Sequence, residues 1–185
     1  AANPDAIVLS GLVDETVRAL KQSYEVGIPK SVARVANSVA SKVEVPTNAG
    51  KAAVGVTYAA AFAASDKRPI AKKFVKKIKD KYGVVPGHDF SQMQDLLDML
   101  RPALEKAQLK FSGNLASDRN AVRDSIASIT NFTGLASGPI GFCAAGSPEC
   151  RDGNKTPVMI EYTKGGKNWK TKVAGTVTFN PSAGL

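Results

Sequence analysis

Asp5-Ala6-Ile7-Val8-Leu9-Ser10-Gly11-Leu12, continued by Asp14-Glu15-Thr16-Val17-Arg18-Ala19-Leu20-Lys21-Gln22-Ser23-Tyr24-Glu25-Val26-Gly27, is the stretch that decides the fold. Three successive aliphatics at Ile7, Val8 and Leu9 read as a short strand covered on both faces. Ser10-Gly11-Leu12 turns the chain, and residues 14–26 read as a helix with Val17, Leu20 and Tyr24 on one face. Asp14 and Glu15 lie where the helix macrodipole favours negative charge, and Gly27 ends the helix. Working outward, residues 31–36 read as a second, weaker strand and 54–58 as a third. Strands alternating with a helix predict an α/β fold with a parallel sheet and right-handed crossovers.

Beyond residue 66 the pattern changes to consecutive helices. In 67–82, Ile70, Phe74, Ile78 and Tyr82 recur at intervals of four with Val75 beside them, Pro69 suits the first turn, and Gly83 lies just past the end. Residues 89–108 read as a second helix, with Asp89 and Gln92 spaced as a capping box and a buried stripe of Phe90, Met93, Leu96, Leu97, Leu100 and Leu104. Pro102 inside it predicts a kink or a split. Ser117 or Asp118 caps a third helix that points Val122, Ile126 and Ile129 inward. Candidate strands then return at 139–142, 158–162 and 173–179, the last two joined by a Lys164-Gly165-Gly166-Lys167 turn. Three amphipathic helices in a row need a sheet or one another to cover, yet the few strands are split between the two ends. Either the helices pack together or part of their sheet is missing.

The net charge of the 185 residues is +9, and its location matters more than its size. Residues 67–82 hold eight basic residues against Asp80 alone, so +7 of the total resides in one helix. The bland reading is a solvated lysine face; a basic amphipathic helix also fits a membrane surface or nucleic acid. No zinc-finger spacing or Gly-rich RNA signature accompanies it, so nucleic acid is not an expected partner. A basic regulatory or nucleic-acid-binding α/β protein stands as the alternative reading. No apolar run approaches the ~18 residues a spanning helix needs. The chain opens without Met, as Ala1-Ala2-Asn3-Pro4-Asp5, and is expected to be a processed or excised piece.

Chemistry is sparse. Cys143 and Cys150 flank a Gly146-Ser147-Pro148 turn able to bring the sulfurs together, so they are either a disulfide, fitting an exported protein, or two free thiols. The single histidine, His88, lies in Pro86-Gly87-His88-Asp89 and reads as a surface turn residue ahead of a helix. No nucleophile elbow, Walker loop, dinucleotide fingerprint or paired-histidine motif is present, and no pair of carboxylates is singled out for acid–base work. An enzyme, a cofactor and a metal site are therefore not expected.

Several stretches together resemble one family, the periplasmic substrate-binding proteins of ABC transporters for branched-chain amino acids. They are Asn3-Pro4-Asp5-Ala6-Ile7-Val8-Leu9, Leu20 to Ile28 with its Tyr24 and Gly27, Gly50-Lys51-Ala52-Ala53-Val54-Gly55-Val56, Phe74 with Lys81-Tyr82-Gly83 and Pro86, and Gln94-Asp95-Leu96 with Ala103-Leu104-Glu105-Lys106-Ala107. Gln94 stands where the family usually has Tyr, and the Cys143–Cys150 loop is not a general family feature. The resemblance implies a type I periplasmic binding protein fold, two doubly wound lobes with hinge crossovers, of which only the C-terminal half is present. Residues 1–61 would then belong to the second ligand-binding lobe, 62–142 would give helices and a strand to the first, and 143–185 would cross back to the second. It also implies an extracytoplasmic solute-binding component that holds an amino acid or organic acid between its lobes and passes it to a membrane permease. A missing N-terminal half, a periplasmic location and a monomeric intact protein are expected with it.

Ligand residues follow where the match is close. Open α/β sheets bind ligands beyond the carboxyl ends of their strands. The resemblance therefore points to Ser10, Gly11 and Leu12 after the first strand, Asn37 and Ser38 after the second, and Tyr58 near the hinge. Ser10 and Ser38 equally suit turn or capping service, and Tyr58 suits core packing. Amino-acid binders often set an acidic residue against the ligand ammonium where Ser38 stands. An unpaired ammonium in a closed cleft costs on the order of several kcal/mol, so a carboxylate or amide without an amino group fits nearly as well as an amino acid.

Overall fold

In the computed structural model, which describes residues 4–111, 113–136, 139–142 and 156–176, the expected alternation opens the chain. Strand β1 (Ala6–Leu9) leads into helix α1 (Val13–Glu25), then β2 (Ala33–Ala36), a short helix α2 (Glu44–Ala49) and β3 (Val56–Ala60). Helices α3 (Pro69–Tyr82), α4 (His88–Ala107) and α5 (Leu115–Ala127) follow, and strands β4 (Val158–Lys164) and β5 (Lys170–Thr176) close the sequence of elements. The chain divides into two compact units, one running to His88 and resuming at Val158, the other beginning at Asp89 and running to Pro157.

The first unit is built on a five-stranded mixed sheet in the order β1-β2-β3-β4-β5. The first three strands are parallel, as predicted; β4 and β5 add to them antiparallel. One row of the register runs Leu9, Ala36, Tyr58, Ile160, Val173. Burial alternates along the central strands: Arg34 and Ala36, Val56, Tyr58 and Ala60, and Val158, Ile160 and Tyr162 are all buried. Apart from Arg34, they share a core with Val17 and Leu20 of α1, Val45 and Ala49 of α2, and Ala40, Ala52 and Ala53 of two short 3-10 turns. Each fully buried aliphatic such as Leu20 or Val45 contributes roughly 1.5–3 kcal/mol of transfer free energy.

This alternation belongs to a sheet covered on one face. Val35, Thr57, Ala59, Met159 and Glu161, pointing the other way, are only half-buried. The reading of β1 as a doubly covered strand is overturned, because β1 lies at the sheet edge and Val8 is 75% exposed. Likewise Thr16 joins Val17 and Leu20 on the buried face of α1, and Tyr24 is left exposed.

The β4–β5 turn is docked by its glycines. Gly166 donates its N–H to the Pro46 carbonyl at 2.8 Å. A Cβ at Gly165 would lie 1.8 Å from the Gly50 carbonyl oxygen, so backbone meets backbone there and only glycine fits.

Helix α3 begins at Pro69 and ends at Gly83, whose left-handed φ of 70° and N–H to Lys79 carbonyl bond make a C-cap. Its buried face is Ala71, Phe74 and Ile78, with Phe74 edge-on to Phe62 at 5.9 Å. Ile70 and Tyr82 lie on the flanks of that face and are exposed, so the predicted stripe holds only at its centre. His88 is buried rather than a surface turn residue, and it is the first residue of α4.

In the second unit the prediction for α4 inverts. The helix is a single 20-residue element that Pro102 does not split. Beyond His88, its buried residues are Ser91, Asp95 and Ala103, while Phe90, Met93, Leu96, Leu97 and Leu104 are exposed and Leu100 is half-buried. What holds the inner face is polar: the Asp95 carboxylate accepts from the backbone N–H of Leu135 at 2.7 Å and of Ala136 at 2.8 Å. The apolar stripe has no sheet to lie on among the described residues of this unit, where residues 139–142 supply isolated bridging, Ile140 antiparallel to Phe132 and the Phe142 N–H to the Ile129 carbonyl at 2.8 Å.

The cap of α5 is Asn114, whose Oδ1 accepts from Ser117 N–H at 3.1 Å, and not Ser117 or Asp118. Asp118 instead accepts from the N–H groups of Lys110 and Phe111. Val122, Ile126 and Ile129 are half-buried, and Ser125 is the buried residue of α5, donating to the Ala103 carbonyl at 2.7 Å. Cys143, Cys150 and residues 177–179 of the expected last strand lie outside the described residues. Among the described residues no helix is long and apolar enough to cross a membrane.

Candidate functional site

Parallel strands β1 and β2 deliver their carboxyl ends side by side, Leu9 opposite Ala36. The loops that leave them are therefore neighbours, and backbone bonding draws them together: Asn37 N–H donates to the Leu9 carbonyl at 3.0 Å. The Asn37 side chain completes the link. Its Nδ2 donates to the Gly11 carbonyl at 3.2 Å, and its Oδ1 accepts from Val39 N–H at 3.2 Å. One residue thus caps the 3-10 turn Ser38–Ser41 and braces the first loop against the second.

The first loop is tightly made. Gly11 is half-buried, and a Cβ there would come within 2.8 Å of the Glu15 Cβ. Its carbonyl also accepts from Thr16 Oγ1 at 3.4 Å. Ser10 is exposed, and Leu12, the N-cap of α1, has extended backbone, no side-chain cap bond and 71% exposure. The first N–H groups of α1 are consequently open to a polar ligand, although Asp14 and Glu15 already offer that end negative charge. Ser38 opens the second loop and is half-buried.

Tyr58 occupies a different position. It shares the register row of Leu9 and Ala36, but it is 4% exposed and packs against Tyr162 with ring centroids 5.2 Å apart. Burial pushes its phenol up to about 12, with a side-chain hydrogen bond to Tyr162 acting in the opposite sense. Burial and Tyr58 both push the Tyr162 phenol up, and the Tyr162 hydroxyl donates to the Ala40 carbonyl. Both rings stay protonated and neutral at any physiological pH, so this pair stiffens the sheet under the loops and is not an acid or base.

The loops therefore bring together Ser10, Gly11, Leu12, Asn37 and Ser38 at one sheet end, with Tyr58 beneath. Sequence reasoning missed Asn37 as the brace and Thr16 as its helper; an Asn directly ahead of a short turn is the signal that could have identified the first. No group of three His, Cys, Asp or Glu able to hold a metal occurs among the described residues.

Several solved structures are similar to this chain over nearly all of its length. A leucine-binding protein, LivK, from Thermotoga maritima is 27% identical over 98% of this chain, with a TM-score of 0.74. An isoleucine-bound branched-chain amino acid binding protein, LivJ, from Streptococcus pneumoniae is 21% identical over 95% of the chain at a TM-score of 0.73. An ABC-transporter solute-binding protein from Rhodopseudomonas palustris, solved with 3,4-dihydroxybenzoic acid, is 20% identical over 98% at 0.69. The chain spans about half the length of these relatives, 46%, 45% and 47% respectively. No curated protein matches the chain. The α/β fold is that of about half a type I periplasmic binding protein, a family of solute binders and not of enzymes. The model of that family, described as periplasmic binding protein, matches residues 1–149, and the chain belongs to it.

Proposed function

We propose that this chain is the C-terminal half of an extracytoplasmic solute-binding component of an ABC transporter. In the intact protein it holds a small amino acid, or an organic or aromatic carboxylate or amide, between two lobes and delivers it to a membrane permease. The observation that carries this reading is the pair of loops joined by Asn37 at the carboxyl ends of β1 and β2, where open α/β sheets place their ligands. Ser10, Gly11, Leu12, Asn37 and Ser38 form the ligand wall, and Tyr58 backs it. Ser38 offers no negative charge to an ammonium, which moves the balance toward a ligand without an amino group. Relatives solved with isoleucine and with 3,4-dihydroxybenzoic acid span those two chemistries.

The missing N-terminal half would supply what the chain lacks. Residues 1–61 and 143–185 are assigned to the second lobe and 62–142 to the first, whose sheet would cover the exposed Phe90, Met93, Leu96, Leu97 and Leu104. In this chain α3 groups with the first unit, and Phe74 packs on Phe62.

The test is a thermal-shift panel of branched-chain amino acids, aromatic carboxylates and amides on the protein joined to its N-terminal half. A selective rise of melting temperature for one class is expected, by about 2.7 kcal/mol of added stability at a hundred times Kd. No response to any class would overturn the reading.

A further inference from the structure

Helix α3 carries a feature that solute binding does not use. Lys72, Lys73, Lys76, Lys77, Lys79 and Lys81 are all exposed, opposite the buried Ala71, Phe74 and Ile78. They fall in two rows, Lys72, Lys76 and Lys79 along one side and Lys73, Lys77 and Lys81 along the other, over about 14 Å of helix at ~1.5 Å per residue. Only Asp80 lies between the rows, and Lys76 holds it at 2.6 Å. The first row lines a shallow groove of about 370 Å³ whose floor includes Ala64 and Val75. At the two ends of the helix Ile70 is 46% and Tyr82 57% exposed, and the Lys81 ammonium lies 5.1 Å from the Tyr82 ring centroid.

We propose that this lysine-covered face of α3 docks on the anionic headgroup layer of a membrane. Two cationic rows around a single, internally paired carboxylate are complementary to a planar array of negative charge. A nucleic-acid reader would be expected to offer aromatic faces for bases along the row; here the one exposed aromatic is terminal, paired with an aliphatic at the other end, as in surface helices that set apolar edges at headgroup level. The choice of lipid over another polyanion rests on the extracytoplasmic reading above, in which the protein works beside a permease. Docking there would hold a loaded binder in two dimensions near its transporter.

Co-sedimentation of the chain with phosphatidylcholine vesicles, with and without about one-third phosphatidylglycerol, tests this. Binding is expected to the anionic vesicles alone at about 0.02 M salt, with release at about 0.5 M. The variant Lys72→Gln/Lys73→Gln/Lys77→Gln/Lys79→Gln should bind about a thousandfold more weakly. The control variant Lys21→Gln/Lys30→Gln/Lys110→Gln/Lys167→Gln should bind as the unaltered chain does. Thermal unfolding checks that both variants fold; if the first does not, the salt and lipid dependence of the unaltered chain decides. Equal binding to both vesicle types, equal loss in both variants, or tighter binding to duplex DNA than to anionic vesicles would overturn the proposal. Solute response in the two-lobed protein is read separately. Vesicle binding lost with solute response intact removes the docking surface alone, and the reverse removes the transport reading alone.

Discussion

Asn37 links the loops that leave β1 and β2. It makes two side-chain hydrogen bonds, to Gly11 and from Val39, in a half-buried position between the loops. Asn37→Ala is expected to cost about 1–2 kcal/mol in urea unfolding, and an unchanged midpoint would show that the loops hold without it. His88 gives a second residue-scale test. Burial, and then the nearby Lys42 charge, hold its imidazole below the ordinary value of 6.5. The unfolded chain protonates at the ordinary value and the folded chain only at lower pH, so the unfolded state binds more protons between the two. Stability is therefore full above about pH 6.5 and is lost as pH falls through the folded value. Denaturation at about pH 7.5 and pH 5 should show this loss in the unaltered chain and a smaller one in His88→Gln; equal losses would contradict it. Neither residue's surroundings were legible in the sequence. Pro86 and Gly87 mark a turn locally, but what packs over His88 is set by chain distant from it.

At the scale of elements, legibility followed how local the cause was. Helix α3 was readable at both ends because Pro69 and Gly83 act on their own backbone. The β4–β5 turn was readable for the same reason, while its seat against Pro46 and Gly50 was not. The amphipathic period of α4 identified a face that requires cover without specifying the cover. The structure buries Ser91, Asp95 and Ala103 and leaves Leu96, Leu97 and Leu104 exposed, because an Asp95 pinned by two backbone N–H groups fixes the helix the other way round. A substitution separates the two conditions. Leu97 is 56% exposed. Leu97→Gln should change the stability of this chain by no more than about 0.5 kcal/mol. In the protein joined to its N-terminal half, where a sheet would bury it, the same change should cost about 2 kcal/mol or more. Equal effects in both would mean that the stripe stays uncovered.

At the scale of the whole molecule, the described residues give a sheet covered on one face, an edge strand with Val8 exposed and an exposed leucine stripe on α4, in a chain that spans about half the length of its solved relatives. The positive charge is concentrated on α3 and on Lys67 and Arg68 just ahead of it. The loops after β1 and β2 were located from the rule for strand ends, and the structure places them together. Their roles toward a ligand are the proposal made above, supported by the uncapped N-terminus of α1. The decisive measurement is calorimetric titration of the two-lobed protein with the solute class selected by thermal shift, in parallel with its Ser38→Ala and Asn37→Ala variants. One-to-one binding that weakens about tenfold in each variant is the expected result. Binding of undiminished strength in both, or no binding of any class, would contradict a solute site at these loops.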